Sequence, residues 1–489
     1  MDVRAVDPVR RTMRLSTGEG LFQAVMVGVG ESFFVPYALH LGAGNHLLGF
    51  LVAVPMISGA LVQLLTERAL HLLGSRRRLL CLGAGIQVLV YPPLLLLPAL
   101  PGELRFPLLL ALAAIHQSAG LLIGPAWNSL MGDIVPEGER GDYFSRRNRA
   151  LQAASFLSLP AAGAILWRFE EQGSGFRGFV WIFLLAAAAR AVSLALMALH
   201  WEPGAVTLPT PRTLSIITET LRKPDWRVLV FYIGLMSFAV NLSAPYFTAY
   251  MLRPPEEHGL GLSYVAFTAV STITVLFKWL FLPVWGRATD RFGARKCLVL
   301  AGWLVGSQPL FWIVPAGWPE ARLTALCVAQ AWGGFVWAGH ELSWFHFLLD
   351  SAPGATRPRL VASVNMLNGL MVFAGSTLGA VMVSAAPPAV NAFLFIFGLS
   401  AIIRFGVCGA LLGRLREVRI AESISYTHLF FRLSSMRSQA GFSLRFFVLP
   451  AERRRRGRDA DGRGGEGDDP GRLRPAPAPS PPAPGDRRG

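Results

Sequence analysis

Apolar residues run along most of this chain in stretches of about 20, separated by short polar connections. An α-helix rises about 1.5 Å per residue, so each stretch is long enough to cross the hydrocarbon core of a bilayer. The first run, 20–41, follows a short basic segment, lacks a cleavage-like ending and continues into a second span, and so reads as a retained helix rather than a signal peptide. Further spans are expected at 46–66, 79–100, 106–132, 148–168 and 178–200. After a polar stretch from Trp201 to Asp225 that holds four prolines, six more follow at 227–251, 263–285, 297–315, 323–349, 360–385 and 390–412. The pattern predicts an all-α polytopic membrane protein with 12 transmembrane helices in two six-helix halves, residues 1–200 and 227–415, joined by a linker at 201–226.

The halves repeat one another. Asp133, Pro136, Arg140 and Asn148 return as Asp350, Pro353, Arg357 and Asn365, each 217 positions later. Trp127 and Trp344 share that offset. The first span of each half carries Pro-Tyr (Pro36-Tyr37, Pro245-Tyr246), and the sixth carries Phe followed seven residues on by an intramembrane Arg (Phe183/Arg190, Phe397/Arg404). Between the second and third spans of the second half lies a tight, charged turn with Gly286, Asp290, Arg291, Gly293 and Arg295. Gly74 and Arg76 form its fainter copy.

The spacing of that turn resembles the signature loop of the major facilitator superfamily, and the resemblance covers about residues 15–415. It implies a secondary transporter working by alternating access, in which the first, fourth, seventh and tenth helices line a central cavity. It also implies that Asp290 latches onto the N-terminus of a helix in the other half, by pseudosymmetry the fifth, where the positive dipole end stabilises an anion. The run Gly141-Asp142-Tyr143-Phe144-Ser145-Arg146-Arg147-Asn148-Arg149 is similar to a loop of bacterial permeases of that type without a settled substrate.

Charge fixes an orientation. The N-terminus and the connections beginning near 67, 133, 201, 286 and 350 carry 22 Lys or Arg, against five (Arg105, Arg168, Arg177, Arg253, Arg322) in the alternate connections. Basic residues stay on the cytoplasmic side, so both termini are expected in the cytoplasm and the protein in the plasma (inner) membrane. This asymmetry, at a formal net charge of +16, is what a lipid-facing basic surface requires and calls for no nucleic acid. Residues 416–450 carry Tyr426, Leu429, Phe430, Leu433, Phe442 and Phe446 at helical spacing beside arginines, as an interfacial amphipathic segment would. The Arg-, Gly- and Pro-rich tail 451–489 is expected to be disordered. Four scattered cysteines show no CxxC or Cys/His spacing, so neither a disulfide framework nor a metal site is indicated, and no cofactor is expected.

An ionisable side chain at mid-bilayer costs about 3 kcal/mol, so each needs a partner or a role. Glu31, in Val27-Gly28-Val29-Gly30-Glu31-Ser32, lies at the centre of the first span. By the resemblance, the other cavity helices supply His116 and Gln117, Asn241, and His340 and Glu341. These six residues form the expected substrate or proton path, with satisfied interhelical hydrogen bonds as the alternative for the histidines. Arg190 and Arg404 recur symmetrically on scaffold helices and read as structural. Asp133 and Asp350 close the fourth and tenth helices at the unfavourable dipole end, with Arg140 and Arg357 as the obvious offsetting cations. Trp337, Glu341, Trp344 and Leu348 fall on one helical face and suggest an aromatic or cationic ligand. The fifth span keeps only Pro160 and Gly163 of the family's antiporter motif, leaving uptake and export both open.

HExxH, GxSxG and GxxxxGK[ST] are all missing from the sequence, so no enzyme is expected. The reading is a monomeric, proton-coupled carrier of a small organic solute. The alternative is a transporter-like sensor or scaffold acting through its tail.

Overall fold

The computed structural model describes residues 3–63, 65–136, 139–203, 222, 224–351, 357–387, 390–416 and 424–435. The tail expected to be disordered, and most of the 201–226 linker, lie outside them. Among the described residues no strand forms, and twelve helices have 18 residues or more. They are α1 (Val3–Val29), α2 (Asn45–Gln63), α3 (Arg76–Leu94), α4 (Gly102–Ile134), α5 (Arg140–Glu171) and α6 (Gly175–Ala198), then α7 (Pro224–Leu252), α8 (Tyr264–Phe292), α9 (Ala294–Phe311), α10 (Arg322–Ser351), α11 (Arg357–Ala385) and α12 (Ala392–Leu411). Ten are long and apolar enough to cross a membrane. The other two are α3, which opens on Arg76, Arg77 and Arg78, and α10, which carries Gln330, His340 and Glu341.

The elements begin and end where the local chemistry directs. Ser75 caps α3, its Oγ accepting from Arg78 N–H at 3.2 Å. Asn391 caps α12 by accepting from the N–H groups of Phe393 and Leu394. Gly74 (φ 62°) ends the short helix Thr66–Leu73, and Gly293 (φ 89°) separates α8 from α9, so both turns of the repeated loop use backbone conformations that favour glycine. Several boundaries differ from those the sequence suggests. The first helix begins at Val3, and the eighth runs on to Phe292, so Gly286, Asp290 and Arg291 of the expected tight turn are helical and the break falls at Gly293. The fifth helix starts at Arg140 rather than near Asn148, and the first is interrupted at Gly30 by a 3₁₀ turn, Glu31–Phe33, before a short helix Phe34–His40.

Within the first group α1 packs on α5 and α6, α3 on α4 and α6, and α2 on α4. In the second group α8 and α9 pack on α10, and α7 and α12 on each other. The groups join mainly along two seams, α2 with α11 and α5 with α8. Glycine brings the seams together. A Cβ on Gly49 would lie 2.6 Å from Ala380 Cβ and 2.7 Å from the Ser376 carbonyl oxygen, and one on Gly163 would collide with Thr268.

The apolar core is divided unequally. At the end of the bundle away from the basic connections, one continuous cluster runs from Met26 and Phe33 through Phe183 to Tyr246, Trp312 and Phe397, and so belongs to both groups. At the basic end there are two separate clusters, one drawn from Met13 to Met197 and the other from Trp226 to Leu433. The bundle is therefore closed at the far end and parted at the basic end. A thirteenth helix, α13 (Tyr426–Ser435), docks Leu429 and Leu433 into the second basic-end cluster. The apolar face expected to meet lipid thus meets protein at these two positions; Phe442 and Phe446 lie outside the described residues.

Candidate functional site

Two polar constellations sit inside this bundle, one in each group. In the first, Gly30 lets α1 approach its neighbours so closely that a Cβ would lie 2.6 Å from both Ala186 of α6 and the Tyr91 hydroxyl of α3. Gly28 similarly faces Ser158 of α5. Glu31, half-buried in the turn that breaks the helix, lies within the field of Arg190. The Arg190 side chain is fully buried, and only one of its nitrogens is bonded, Nη1 donating to Ser193 Oγ at 2.9 Å. Its Nε and Nη2 make no hydrogen bond. The Tyr91 hydroxyl and His116 Nε2 are 3.3 Å apart, and Phe34 closes edge-on over the imidazole.

One level nearer the basic end, the fully buried Glu19 accepts from Trp127 Nε1 and Arg147 Nη2, both at 3.0 Å, while the Arg147 guanidinium lies 4.2 Å over the Trp127 ring. Glu19 also reaches Arg190 with its field, as Glu31 does. The ionisable side chains Glu19, Arg147, Arg190 and Glu31 thus share one region of this group.

The second constellation is neutral. A cavity of about 250 Å³ between α7, α10 and α11 is lined by Ser237, Asn241, Trp337, His340, Trp344, Asn365 and Asn368, with aliphatic residues between them. Ser237 Oγ donates to Asn368 Oδ1. Asn241 Nδ2 donates to the Ser237 carbonyl at 2.9 Å. His340 Nε2 is 3.0 Å from the Tyr232 hydroxyl, and its Nδ1 is buried without a partner. Arg404 lies behind this cavity, fully buried yet fully engaged. Its Nε donates to Ser400 Oγ, Nη1 to the Val305 carbonyl and Gln308 Oε1, and Nη2 to Ser243 Oγ, at 2.9–3.2 Å.

The structure thus gathers Asn241 with His340, and Glu31 with His116 through Tyr91 and Arg190. It places Gln117 against Met56, at 3.7 Å from the sulfur. Glu341 turns to α8, where its carboxylate accepts from Lys278 Nζ at 2.6 Å, and is not among the residues that line the cavity with Trp337 and Trp344. Neighbouring residues on a helix point about 100° apart, and it is His340 that joins the tryptophans.

At the basic end, Asp133 pairs with Arg76 at 2.5 Å; the side chains of Arg140 and Arg357 lie outside the described residues. Asp350 and Asp290 are exposed, and neither makes a hydrogen bond or ion pair among the described residues. The buried Arg76 also donates to Ser129 Oγ, to Glu202 and to the Pro203 carbonyl. Its counterpart Arg295 donates from Nε to the Leu415 carbonyl at 2.6 Å. Glu202 accepts from Ser75 Oγ and from the N–H groups of Arg76 and Arg77 at the start of α3. Burial pulls its carboxyl up, but these hydrogen bonds, with that of the Arg76 side chain, outweigh burial and hold it below the usual carboxylate range.

Tyr91, Tyr232, Ser237 and Asn368 gave no signal as single letters, because a hydroxyl or amide in an apolar run is common. Glu19 could have been found, since it is a carboxylate 12 residues before Glu31, at the edge of the first apolar run.

The family model described as Major Facilitator Superfamily matches residues 20–269, and the chain belongs to that superfamily of membrane transporters. Among solved structures it is similar to a point mutant of the nucleoside transporter NupG (11% identity, TM-score 0.65, covering 83% of this chain and 100% of that one). It is also similar to a D-xylose–proton symporter (17%, TM-score 0.62, 84% and 99%) and to an inward-facing bacterial homologue of the iron transporter ferroportin (13%, TM-score 0.62, 85% and 99%). A search of curated protein sequences returns no match.

Proposed function

We propose that this protein is a secondary active transporter that moves a small organic solute by alternating access and is coupled to protons. The observation that carries the reading is the split core: one apolar cluster shared by both groups at the far end, two separate clusters at the basic end. Closed at one end and parted at the other is one of the two states such a cycle requires, and the seams α2–α11 and α5–α8 are the surfaces on which the groups would rock. The working unit is a monomer in the plasma membrane, with both termini and the 201–226 linker cytoplasmic, as the 22-to-5 basic asymmetry favours. Reporter fusions at residues 210 and 436 should read as cytoplasmic; a periplasmic reading at either reverses the orientation.

Coupling is assigned to Glu31. What supports this is a carboxylate within the field of a buried cation that has two unbonded nitrogens, so that protonating it changes the charge of the whole constellation. In proteoliposomes, Glu31→Gln should abolish accumulation driven by a pH gradient and preserve counterflow exchange. A folded Glu31→Gln protein that still accumulates solute with unchanged pH dependence removes the residue from the coupling path.

A further inference from the structure

The two constellations differ in what they can recognise, and the cavity of the second group carries a substrate class. None of its lining side chains is charged. Arg404, whose field reaches His340, donates to three neutral side chains and a carbonyl. Glu341 is turned away to Lys278. A cation entering here would meet the field of Arg404 with no carboxylate to pair with, and an anion would lose its hydration without gaining a charge-assisted hydrogen bond. Either loss is large in a partly desolvated site.

What the cavity does offer is paired amides and indoles. Asn368 and Asn241 each use one end of the amide within the protein, through Asn368 Oδ1 and Asn241 Nδ2. Asn368 Nδ2 and Asn241 Oδ1 make no hydrogen bond among the described residues, which leaves a donor and an acceptor side by side on neighbouring helices. His340 adds a third polar group. The residue is only 5% exposed, it lines the cavity, and its Nδ1 has no partner. The Tyr232 hydroxyl against Nε2 holds the ring in place, and Trp337 packs edge-on against it at 5.5 Å. Trp337 and Trp344, two turns apart on α10, give flat apolar faces for a ring.

Resting on the transporter reading, we infer that the solute is an uncharged ring compound bearing several hydrogen-bonding groups, such as a free nucleoside or sugar, held by Asn241, Asn368 and His340 against Trp337 and Trp344. A matched donor and acceptor favours hydroxyls or ring amides, each of which can answer both, over a carboxylate or an ammonium, which can answer one. A site built to hydrogen-bond its ligand also rejects analogues that leave those groups unpaired.

The test is binding to the purified full-length protein in detergent, read by melting temperature and by tryptophan fluorescence. Uridine, adenosine, xylose and glucose serve as neutral rings, uridine monophosphate and glucose 6-phosphate as their anionic partners, and tetraphenylphosphonium as a cation. At least one neutral ring should bind, its charged partner at least tenfold more weakly; which ring binds separates the nucleoside from the sugar arm. Asn241→Ala and Asn368→Ala should each weaken that binding roughly tenfold without lowering the ligand-free melting temperature, and Trp344→Phe by less than threefold. Binding of charged probes in preference, no binding by any neutral ring, or binding indifferent to both asparagine changes overturns the inference. A neutral ring that binds as described yet is neither exchanged nor accumulated in proteoliposomes overturns the transport reading instead.

Discussion

Arg190 and Arg404 occupy corresponding places in the sixth helix of each group, both are completely buried, and they live by opposite rules. Arg404 is solvated by the protein: a carbonyl, an amide and two hydroxyls take up its donors, and no carboxylate comes near. Arg190 is left with two unbonded nitrogens within the fields of Glu19 and Glu31. The Arg404 arrangement is fixed, because each of its three nitrogens has a stationary partner. The Arg190 arrangement is poised, because its charge balance depends on groups that can gain or lose a proton. Corresponding cations thus sit in different surroundings, titratable groups in one case and neutral hydrogen-bonding groups in the other.

Removing each arginine tests that contrast. Arg190→Leu leaves Glu31 without a cation while Glu19 keeps Arg147, a loss of up to about 3 kcal/mol, seen as low yield and a depressed melting temperature; adding Glu31→Gln should restore much of it. Arg404→Leu orphans only neutral acceptors, about 1–3 kcal/mol, and no carboxylate change should rescue it. No rescue of Arg190→Leu would erase the distinction.

A smaller effect is expected where the two groups meet. Gly49→Leu at the far-end seam must displace Ala380 and the Ser376 backbone, and overpacking of about 1–3 kcal/mol should shift the population roughly 5- to 100-fold toward opening at that end. Asp290→Asn, which removes the proposed basic-end latch, should move the population the other way and leave the affinity of the competent state unchanged. Site-directed accessibility labelling reads both, and shifts of the same sign would show that the two ends are not coupled.

The smallest expected effect compares the exits of the two groups. Glu202, whose carboxyl is held below its ordinary value of 4.5, stabilises the start of α3 fully above that pH and loses the contribution as pH falls through the lowered value. Solvent screening keeps it near or below about 1 kcal/mol. Glu202→Gln should therefore lower the melting temperature slightly at neutral pH and flatten its acid-side decline. An unchanged acid slope would mean that the linker start is not docked as described. The second group makes the equivalent contact with a backbone carbonyl, at Leu415, and should show no such dependence.

The helices and their pairing into repeats were legible in the sequence because span length and landmark spacing are one-dimensional: Gly74 and Gly293, 219 positions apart, both end a helix with positive φ. Charge partners were less so. Asp133 is reached by Arg76, 57 positions earlier on another helix, a contact that spacing along the chain does not suggest. Direction around a helix also decided matters that spacing left open. His340 and Glu341 are adjacent letters, yet one lines the cavity beside Trp337 and Trp344 while the other pairs with Lys278.

Arg76 and Arg295 have a mechanical consequence. Each takes hold of the chain as it leaves the sixth helix of its group, at Glu202 and Pro203 in one case and Leu415 in the other. Each group is thereby a hoop, riveted where its last stave meets its third. Because each hoop is closed by its own contact, its closure does not depend on the connection between them, and what joins hoop to hoop among the described residues is the pair of glycine seams, Gly49 against Ala380 and Gly163 against Thr268.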